Sequence, residues 1–420
     1  MSGTTLPGPQ VDIEVCLAIG TIEPGGVWDS GHWNYNTWNQ TDTPLGDWSD
    51  VTCDVIVPLT LGSGTSPDGV VTRWEAQTCA FSLYGDLYDP RSGPYVGLLG
   101  PALPVRVRWK PTGTDDTVWR TTFLGQTTDD GFTYDPKTRR AAVSATDATA
   151  IFAAYDGVEQ GSQGSGETAA ARVTRIADMV GWPAARRDIT AGGVALQATT
   201  LADAAWTLLL AVADTDLAVL WIDRAGNLAF RPEGKVKPSH TLAAIISCDP
   251  PPPDITAPTI APVNIVGQQP TVTRNVVSIS RQARDETDTP ATATVRDEAS
   301  VSRFLTHSYS RTDLLHVDDL WSTTVAQAVI MSSAWPSTSP AAVELSSRAD
   351  PASSALLLTA DPSLSVEVHD RGNVWECEPA GWQVTISPNE ISGSLALLDV
   401  TVWFGTSWDG GGWDLARWGF

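Results

Sequence analysis

Short runs of alternating apolar and polar residues fill the first third of the chain. In Val11–Ile19 the side chains of Val11, Ile13, Val15 and Leu17 fall on one face, a two-residue period typical of a half-buried β-strand. Further strands are predicted at Val51–Leu59, Ala80–Leu83, Val105–Trp109, Val118–Leu124 and Ala142–Ala145. Glycine and Asp-Pro turns separate them, so we predict a small barrel or sandwich over this region.

The pattern changes to a helical period after a Gly/Ser/Gln-rich stretch at 157–166. Glu167–Val180 and Leu201–Ala213 each place apolar residues on one helical face, so we predict two helices. Two short apolar runs follow, Leu217–Ile222 and Leu228–Arg231, and a polar turn rich in turn-forming residues joins them into a predicted hairpin. Together these elements predict a compact α+β unit.

A run of four prolines, Pro250–Pro253, predicts a stiff and extended linker. After it the β pattern returns, interrupted by one predicted helix at about Leu320–Ala334 that ends before Pro336. The later strands are predicted at Val263–Val266, Val272–Arg281, Ala291–Val295, Ala342–Leu345, Leu364–Val368, Gly381–Ser387 and Leu395–Phe404.

The predicted fold class is therefore mainly β with an α+β insert, in which a small α+β domain separates two barrel-like β domains. The predicted ranges are 1–156 for the first β domain with its Trp-rich loop and 157–249 for the insert. They continue with 250–262 for the Pro-rich linker and 263–420 for the second β domain, which includes one helix and a Trp-rich C-terminal tail.

The net charge of the chain limits the classes of partner that it can bind. The chain has 26 Lys plus Arg against 49 Asp plus Glu, a formal net charge of −23. Such a surface repels nucleic-acid phosphates and anionic lipid headgroups, although it would suit a conduit that nucleic acid passes without sticking. The most apolar stretch, Leu208–Ile222, contains Asp214 and Asp216, so no membrane span is predicted. Met1–Gly8 does not resemble a secretory leader, and we expect the protein to be made and assembled in a cytoplasm.

Residue types that carry catalysis or bind metals are present without the required spacing. The five cysteines include no Cys-x-x-Cys pair, and the five histidines show neither His-x-His nor His-Glu-x-x-His. Adjacent acid pairs occur at Asp129-Asp130, Asp285-Glu286 and Asp318-Asp319. Neighbouring residues on a strand point in opposite directions, and acids at turns or helix starts cap free amides. We therefore predict no catalytic residue, no metal site, no cofactor and no enzymatic activity.

The 18 tryptophans are the strongest compositional feature of the chain. A Trp-Asp-x-Gly-x-Trp pattern occurs twice, first with Trp28 and Trp33 and again near the C-terminus with Trp408 and Trp413. Trp38 extends the first of these loops. Three interpretations stay open: the loops contact another subunit, they pack on the barrel, or they stack on a glycan.

Four segments in order and spacing resemble the tail-tip hub proteins of long-tailed bacteriophages (siphophages), also called minor tail proteins in phages of actinobacteria. The opening barrel is represented by Trp48–Val55 with Arg73–Ala76 and Ala80–Leu83, and its later strands by Thr122–Gln126 and Val143–Ala148. The hairpin Leu217–Arg231 resembles the insert of that family, and Asp297–Phe304 resembles the segment where the second barrel resumes.

The resemblance implies a structural role in the virion. Hubs of this kind contain two tube-forming β-barrel domains, and three copies place six barrels in a ring that continues the tail tube. It further implies a homotrimer at the tail tip that contacts the distal tail protein, the tape-measure protein and other tail-tip proteins, while DNA passes through without specific binding.

Two alternatives to the hub remain. The first is the distal tail protein, which forms a sixfold ring and usually has one tube barrel. The second is a glycan-binding module for host recognition that uses the Trp-rich loops. The chain also lacks the long C-terminal extension with peptidase or receptor-binding modules that many hub relatives carry, which favours the core structural role.

Overall fold

A computed structural model of the chain describes residues 6–7, 11–19, 48–66, 73–112, 116–157, 162–234, 241–249, 257–267, 274–336 and 339–400. Most of this structure is β-sheet, with a smaller helical part, so the prediction of a mainly β fold with a small α+β insert is confirmed. Three short 3-10 helices also occur, at Thr52–Asp54, Asp86–Tyr88 and Ala184–Arg186. None of the helices in these ranges has the length and apolar character needed to cross a membrane.

Within the part of the chain that the structure describes, ten strands precede the insert. They are β1 (Leu6–Pro7), β2 (Val11–Leu17), β3 (Ser49–Asp50), β4 (Val55–Ser63), β5 (Thr65–Ser66), β6 (Arg73–Trp74), β7 (Thr78–Tyr84), β8 (Pro104–Pro111), β9 (Arg120–Asp135) and β10 (Arg140–Thr146). Seven of them form an antiparallel series in the order β1-β2-β8-β9-β10-β7-β4, with β3 beside β2. The alternation predicted for β2 is confirmed, because Val11, Ile13, Val15 and Leu17 are buried.

The insert contains the two predicted helices and the predicted hairpin, and in addition a short helix and a short strand that the pattern did not predict. It contains α1 (Thr149–Ala154), α2 (Ala169–Val180), β11 (Arg187–Ile189), α3 (Ala205–Asp216), β12 (Val219–Ile222) and β13 (Leu228–Arg231). Thr168 caps the N-terminus of helix α2, because its hydroxyl accepts a hydrogen bond from the amide of Ala171 at 3.3 Å. Gly181 caps the C-terminus with a left-handed φ of 76°. The predicted hairpin pairs Ile222 with Leu228.

A second set of strands follows the insert. It comprises β14 (Thr241–Ser247), β15 (Thr259–Ile260), β16 (Asn264–Gly267), β20 (Pro340–Ser346), β21 (Leu364–Asp370), β22 (Asn373–Ser387) and β23 (Glu390–Asp399). Strand β22 pairs with β21 and β23, β14 pairs in parallel with β21 and β15, and β20 lies between β16 and β23. Helix α6 (Ser353–Thr359) packs on this set.

Residues 274–336 form a small unit of their own. Its sheet has the order β18 (Ala293–Arg296), β17 (Val276–Arg281) and β19 (Ser308–Leu314), and its helices are α4 (Glu298–Phe304) and α5 (Leu320–Ser333). Apolar residues of β17, β19 and α5 form a separate core there. Two further cores fill the molecule, a large one shared by the two strand sets and a second one within the insert.

Three details differ from the sequence-based expectations. Strand β14, within the range predicted for the insert, pairs in the second strand set. Asp297–Phe304, expected to resume a barrel, forms helix α4 because the Asp297 carboxylate caps it by accepting a hydrogen bond from the amide of Ser300 at 2.8 Å. Residues 274–336 were expected to belong to the second β domain. Their strands β17, β18 and β19 instead form a separate sheet, on which helix α5 packs. The linker Pro250–Pro253 lies outside the described residues, and the predicted domain limits stay predictions.

Candidate functional site

The two strand sets are joined edge to edge by one pair of strands, β4 and β22. Their register runs from Ser63 opposite Trp382 to Leu59 opposite Ile386, which makes a single sheet of 15 strands. We call this junction the seam. On its buried side the rings of Trp74 and Trp382 lie 5.4 Å apart, in the shared core. The two sets are therefore continuous in main-chain hydrogen bonds and also in apolar packing.

The opposite side of this sheet faces solvent and carries small polar residues. Because directly paired residues lie on the same face of a sheet, register identifies the members of each row. One row crosses eight strands through Gln126, Thr146, Thr78, Gly62, Gln383, Ser394, Glu344 and Asn264. A second row, two residues along each strand, consists of Ser144, Ala80, Thr60, Thr385, Ser392 and Ser346. We call these two rows the neutral face.

The neutral face lacks charge across the seam. Its one ionisable residue is Glu344, near the outer edge of the second strand set. Charged residues make up 18% of the whole chain and are concentrated on protein surfaces, so two rows on an exposed sheet face with one carboxylate and otherwise uncharged residues are unusual. An open depression on this face is lined by small and polar residues of β4, β7 and β10 and by Asp130 and Thr133 of β9, so the one charge beside it is a carboxylate.

Close backbone approach at the seam requires a glycine. A Cβ atom at Gly381 would lie 2.9 Å from the carbonyl oxygen of Ser63, closer than real side chains tolerate. Gly381 ends the β-bulge at Pro379–Gly381, where β22 changes its register with β23. The bulge and the glycine thus let one long strand serve both strand sets.

The insert is attached to the seam by Arg224, at the turn of the hairpin β12–β13. The guanidinium donates hydrogen bonds to the carbonyl oxygens of Leu357 and Ala360, each at 3.1 Å, at the C-terminal end of α6. It also contacts the carbonyl of Thr122 in β9 at 3.5 Å and lies 3.8 Å from the ring centroid of Trp382. A single side chain therefore contacts both strand sets.

Burial shapes the chemistry of this arginine. Arg224 is 6% exposed, and burial lowers its pKa to about 9, an effect that the nearby Asp361 carboxylate opposes. The guanidinium remains a cation at neutral pH, held by carbonyl groups at a helix C-terminus that have no partner within the helix. Removing the side chain would leave these buried carbonyls without their donor.

A second buried charge connects the insert to the rest of the chain. Asp214 of α3 is fully buried, and its carboxylate binds Arg73 of β6 at 2.5 Å and Arg311 of β19 at 3.2 Å. Nearby, the indole of Trp321 donates a hydrogen bond to the carbonyl of Thr215 at 2.7 Å. The end of α3 thus holds the first strand set and the 274–336 unit together.

Asp147, in the segment whose sequence resembles the hub family, closes the junction between β10 and α1. Its carboxylate accepts hydrogen bonds from the amides of Gln77 and Thr149, each at 2.9 Å. Burial raises the pKa of this carboxyl group to about 6, although those hydrogen bonds favour the ionised form. The role is structural, because both oxygens cap main-chain amides.

The residues singled out as contacts for a subunit or glycan, Trp28, Trp33, Trp38, Trp408 and Trp413, lie outside the described residues. Their proposed role therefore stays a prediction.

The acid pairs have local structural partners. Asp318 accepts a hydrogen bond from the amide of Leu320 at 3.0 Å, whereas Asp319 binds Arg281 at 2.7 Å instead of capping α5. Asp285 accepts from the amide of Thr287. Within the ranges that the structure describes, no group of three or more His, Cys, Asp or Glu side chains is placed to hold a metal ion.

Sequence reasoning did not identify the seam, Arg224 or Asp214. An arginine in a polar turn is expected to face solvent, and Asp214 served only as evidence against a membrane span. The seam joins residues more than 300 positions apart, for which local pattern contains no signal. The repeated Thr, Ser and Ala on the outer positions of β7, β10 and β22 was the one available indication of the neutral face.

Comparison with solved structures identifies the fold. The chain is similar to the tail protein from Neisseria meningitidis MC58, with 11% sequence identity, a TM-score of 0.55 and coverage of 93% of this chain and 98% of that one. It also matches the 43 kDa tail protein of prophage MuSo2 from Shewanella oneidensis at 14% identity and a TM-score of 0.48, covering 85% and 95% of the two chains. No protein-family model and no curated protein matches the chain. The chain thus shares its fold with the tail protein from Neisseria meningitidis MC58.

Proposed function

We propose that this chain is a structural, non-enzymatic protein of a phage-type tail, and more specifically the hub at the tail tip. The observation that carries the proposal is the seam, which makes one sheet from two strand sets. A protein that presents two β units per copy continues a sixfold tube with three copies, as the hub resemblance implies. A distal ring protein with one tube unit would need six copies.

The neutral face is the part of the sheet best suited to line the channel. DNA binding depends on cations that neutralise phosphates and release counterions, and the two rows of this face contain none. The side chains next to the seam are mostly small and uncharged, and the net charge of −23 repels DNA from the surrounding surface. DNA would therefore pass without specific binding.

The insert and the 274–336 unit would lie outside the channel wall as attachment points for neighbours. In this proposal the neighbours are the distal tail protein, the tape-measure protein and other tail-tip proteins. Arg224 and Asp214 fix both units to the sheet, so force applied to them at ejection would reach the seam. The Trp-rich loops are assigned to contacts with these neighbours, with glycan binding as the alternative.

The location in the virion tests the proposal. Purified tails carrying an epitope tag on this protein are labelled with gold-conjugated antibody and examined by electron microscopy. Label confined to the tail tip, together with the protein in the mass spectrum of washed particles, is the expected result. Label along the whole tube or its absence from particles would contradict the hub assignment, and absence combined with sugar binding would favour the glycan-binding alternative.

A further inference from the structure

One end of the first strand set exposes apolar side chains next to cations. Tyr84, at the end of β7, is 51% exposed and is the cross-strand partner of Arg140. In the loop that follows, Leu87 is 48% exposed and Val96 is 54% exposed. Lys137, in the turn between β9 and β10, is exposed as well. We call these five residues the tip.

The contacts around the tip make it one continuous surface. The amide of Gly85 donates a hydrogen bond to the carbonyl of Arg139 at 3.0 Å, and Arg139 binds the Asp86 carboxylate at 2.6 Å. The Arg139 guanidinium also lies 5.5 Å from the ring centroid of Tyr84. Loop and hairpin turn are thereby held side by side, so the apolar and the cationic members of the tip share one end of the molecule.

The loop that presents Leu87 and Val96 is held by side-chain and main-chain contacts. The Tyr88 hydroxyl donates to Asp54 at 2.7 Å, and the rings of Tyr88 and Tyr95 stack with centroids 6.1 Å apart. The amide of Gly93 donates to the carbonyl of Asp89 at 2.8 Å. An apolar surface on an ordered loop loses little conformational entropy on binding, which is the property of a preorganised docking surface.

Two cations of the tip, Lys137 and Arg140, lie near Asp135, which is directly opposite Arg140 on β9. The Asp135 carboxylate is occupied by the turn, because it accepts hydrogen bonds from the Lys137 amide at 2.9 Å and from the Thr138 hydroxyl at 2.6 Å. Arg139 is neutralised by Asp86 and Arg91 by Asp89, whereas Lys137 and Arg140 form no ion pair among the described residues. In a chain of net charge −23, cations left available beside exposed apolar groups favour an acidic partner with an apolar centre.

A surface of that chemistry exists at the opposite end of the same sheet. Val374, near the start of β22, is 60% exposed. Glu376, two residues on, is exposed and lies directly opposite Glu367 of β21. The Glu367 carboxylate already lies 3.0 Å from Nε2 of His369, whereas Glu376 forms no ion pair among the described residues. Like charges directly opposite on paired strands repel, and a cation from another molecule near Glu376 would relieve that repulsion. We call Val374, Glu367 and Glu376 the far-end patch.

The tip and the far-end patch of one chain cannot reach each other. Strand β22 begins at the far-end patch, and the register of β22 with β4 and of β4 with β7 places the tip beyond its other end. A strand of that length spans roughly 50 Å at about 3.3 Å per residue. Contact between the two surfaces therefore needs two molecules.

We propose that the tip of one copy docks on the far-end patch of a second copy, with Lys137 and Arg140 meeting Glu367 and Glu376 around an apolar centre. Such a contact is heterologous, so repetition closes a ring when the rotation between copies permits. This inference rests on the proposed function, since a homotrimeric hub requires a contact that repeats between copies, and it names the surfaces involved.

A charge exchange on the full chain tests the contact by sedimentation velocity. The double variant Lys137→Glu with Arg140→Glu is expected to weaken self-association on the order of 100-fold, because like charges then face each other. The control is Arg296→Glu with Arg303→Glu, which makes the same charge change on exposed cations of the 274–336 unit and should leave association unchanged. Combining the tip variant with Glu367→Lys and Glu376→Lys should restore it. Circular dichroism confirms that each variant is folded.

The outcomes separate this inference from the proposed function. The tip contact is overturned, and the hub proposal stands, if the wild type forms trimers that the tip variant does not weaken. The same conclusion follows if the far-end exchange fails to restore the association that the tip variant lost. A wild type that stays monomeric at every concentration and is absent from tails overturns both. Restoration by the combined exchange, together with weaker association at high salt, supports the tip contact.

Discussion

The seam and the insert are attached to the body of the molecule in different ways. At the seam, five consecutive register pairs from Ser63–Trp382 to Leu59–Ile386 join two strand sets through main-chain hydrogen bonds. The insert shares three apolar residues of its hairpin, Val219, Trp221 and Ala229, with the large core and is further held by buried charged side chains, above all Arg224 and Asp214. The main-chain hydrogen bonds of the seam are distributed over many residues, whereas the stabilisation from a buried charge depends on one side chain. Point substitutions should therefore harm the insert contacts far more than the sheet surface.

The largest effect is expected for Arg224→Ala. The change removes the donors to Leu357 and Ala360 and the contact with Trp382, leaving buried carbonyls unpaired, at a cost of about 4 kcal/mol in the free energy of unfolding. Arg224→Lys, which keeps the charge but not the planar fork, should recover less than half of this loss. The urea midpoint of unfolding, followed by tryptophan fluorescence, measures both variants. An Ala variant as stable as the wild type would contradict the attachment of the insert by Arg224.

Asp214→Ala should follow, with a loss of about 3 kcal/mol. Removing this fully buried carboxylate leaves Arg73 and Arg311 without their shared partner, and partial solvent access of both arginines moderates the loss. Asp178→Ala is the control, because its ion pair with Arg187 is exposed on the acid side and should change the midpoint little. Equal effects of the two substitutions would contradict the difference between buried and exposed pairs.

A pH effect of intermediate size is expected at His316, between the insert and the 274–336 unit. Burial lowers the pKa of this histidine to about 4, the Asp319 carboxylate opposing the shift, and its Nε2 lies 3.2 Å from the Ser322 hydroxyl. The unfolded chain, with a pKa near 6.5, binds the proton first as pH falls. Stability present above pH 6.5 is therefore lost toward pH 4, by about 2 kcal/mol.

Comparing His316→Gln with the wild type isolates this histidine. The variant should lose less stability between pH 7 and pH 4.5 in thermal unfolding scans. Asp147 acts in the opposite direction, since its raised pKa adds stability as pH falls through about 6, and it is present in both proteins. Identical pH profiles would contradict the assignment.

The smallest effect on stability is expected on the neutral face. Thr78→Lys changes an exposed position of the sheet and should alter the free energy of unfolding by less than about 0.5 kcal/mol. It nevertheless adds three cations to the proposed channel, one from each copy of the trimer, so assembled rings should gain measurable affinity for DNA in fluorescence anisotropy. Thr207→Lys, an exposed position of α3 in the insert, is the matched control. Equal DNA affinity of both variants would remove the neutral face from the channel.

The sequence pattern predicted those elements that are stabilised by residues close together in the chain. The hairpin Val219–Ile222 with Leu228–Arg231 was found because apolar runs flank a turn in which Asp223 accepts a hydrogen bond from the amide of Asn227 at 2.8 Å. Helix α5 was found because it is an apolar run that ends before Pro336. Strand limits were less accurate: the strand predicted to start at Val51 begins four residues later, after a 3-10 turn.

Features that depend on distant residues were not predictable. Nothing near Arg224 indicates that carbonyls of α6, more than 130 positions away, will accept its hydrogen bonds. The pairing of β4 with β22 and the placement of β14 beside β21 depend on the same kind of long-range choice. The fold class could be predicted from the resemblance and from the strand spacing. The seam and the contacts of Arg224 became visible only in the structure.

The measurement that tests the central claim most directly is electron cryomicroscopy of isolated tails, reconstructed without imposed symmetry. The account predicts three copies of this chain at the tail tip, with six β units around one channel and with Thr78 and Thr385 of the neutral face on its wall. A sixfold ring with one β unit from each copy, or a channel wall formed by another surface, would contradict it.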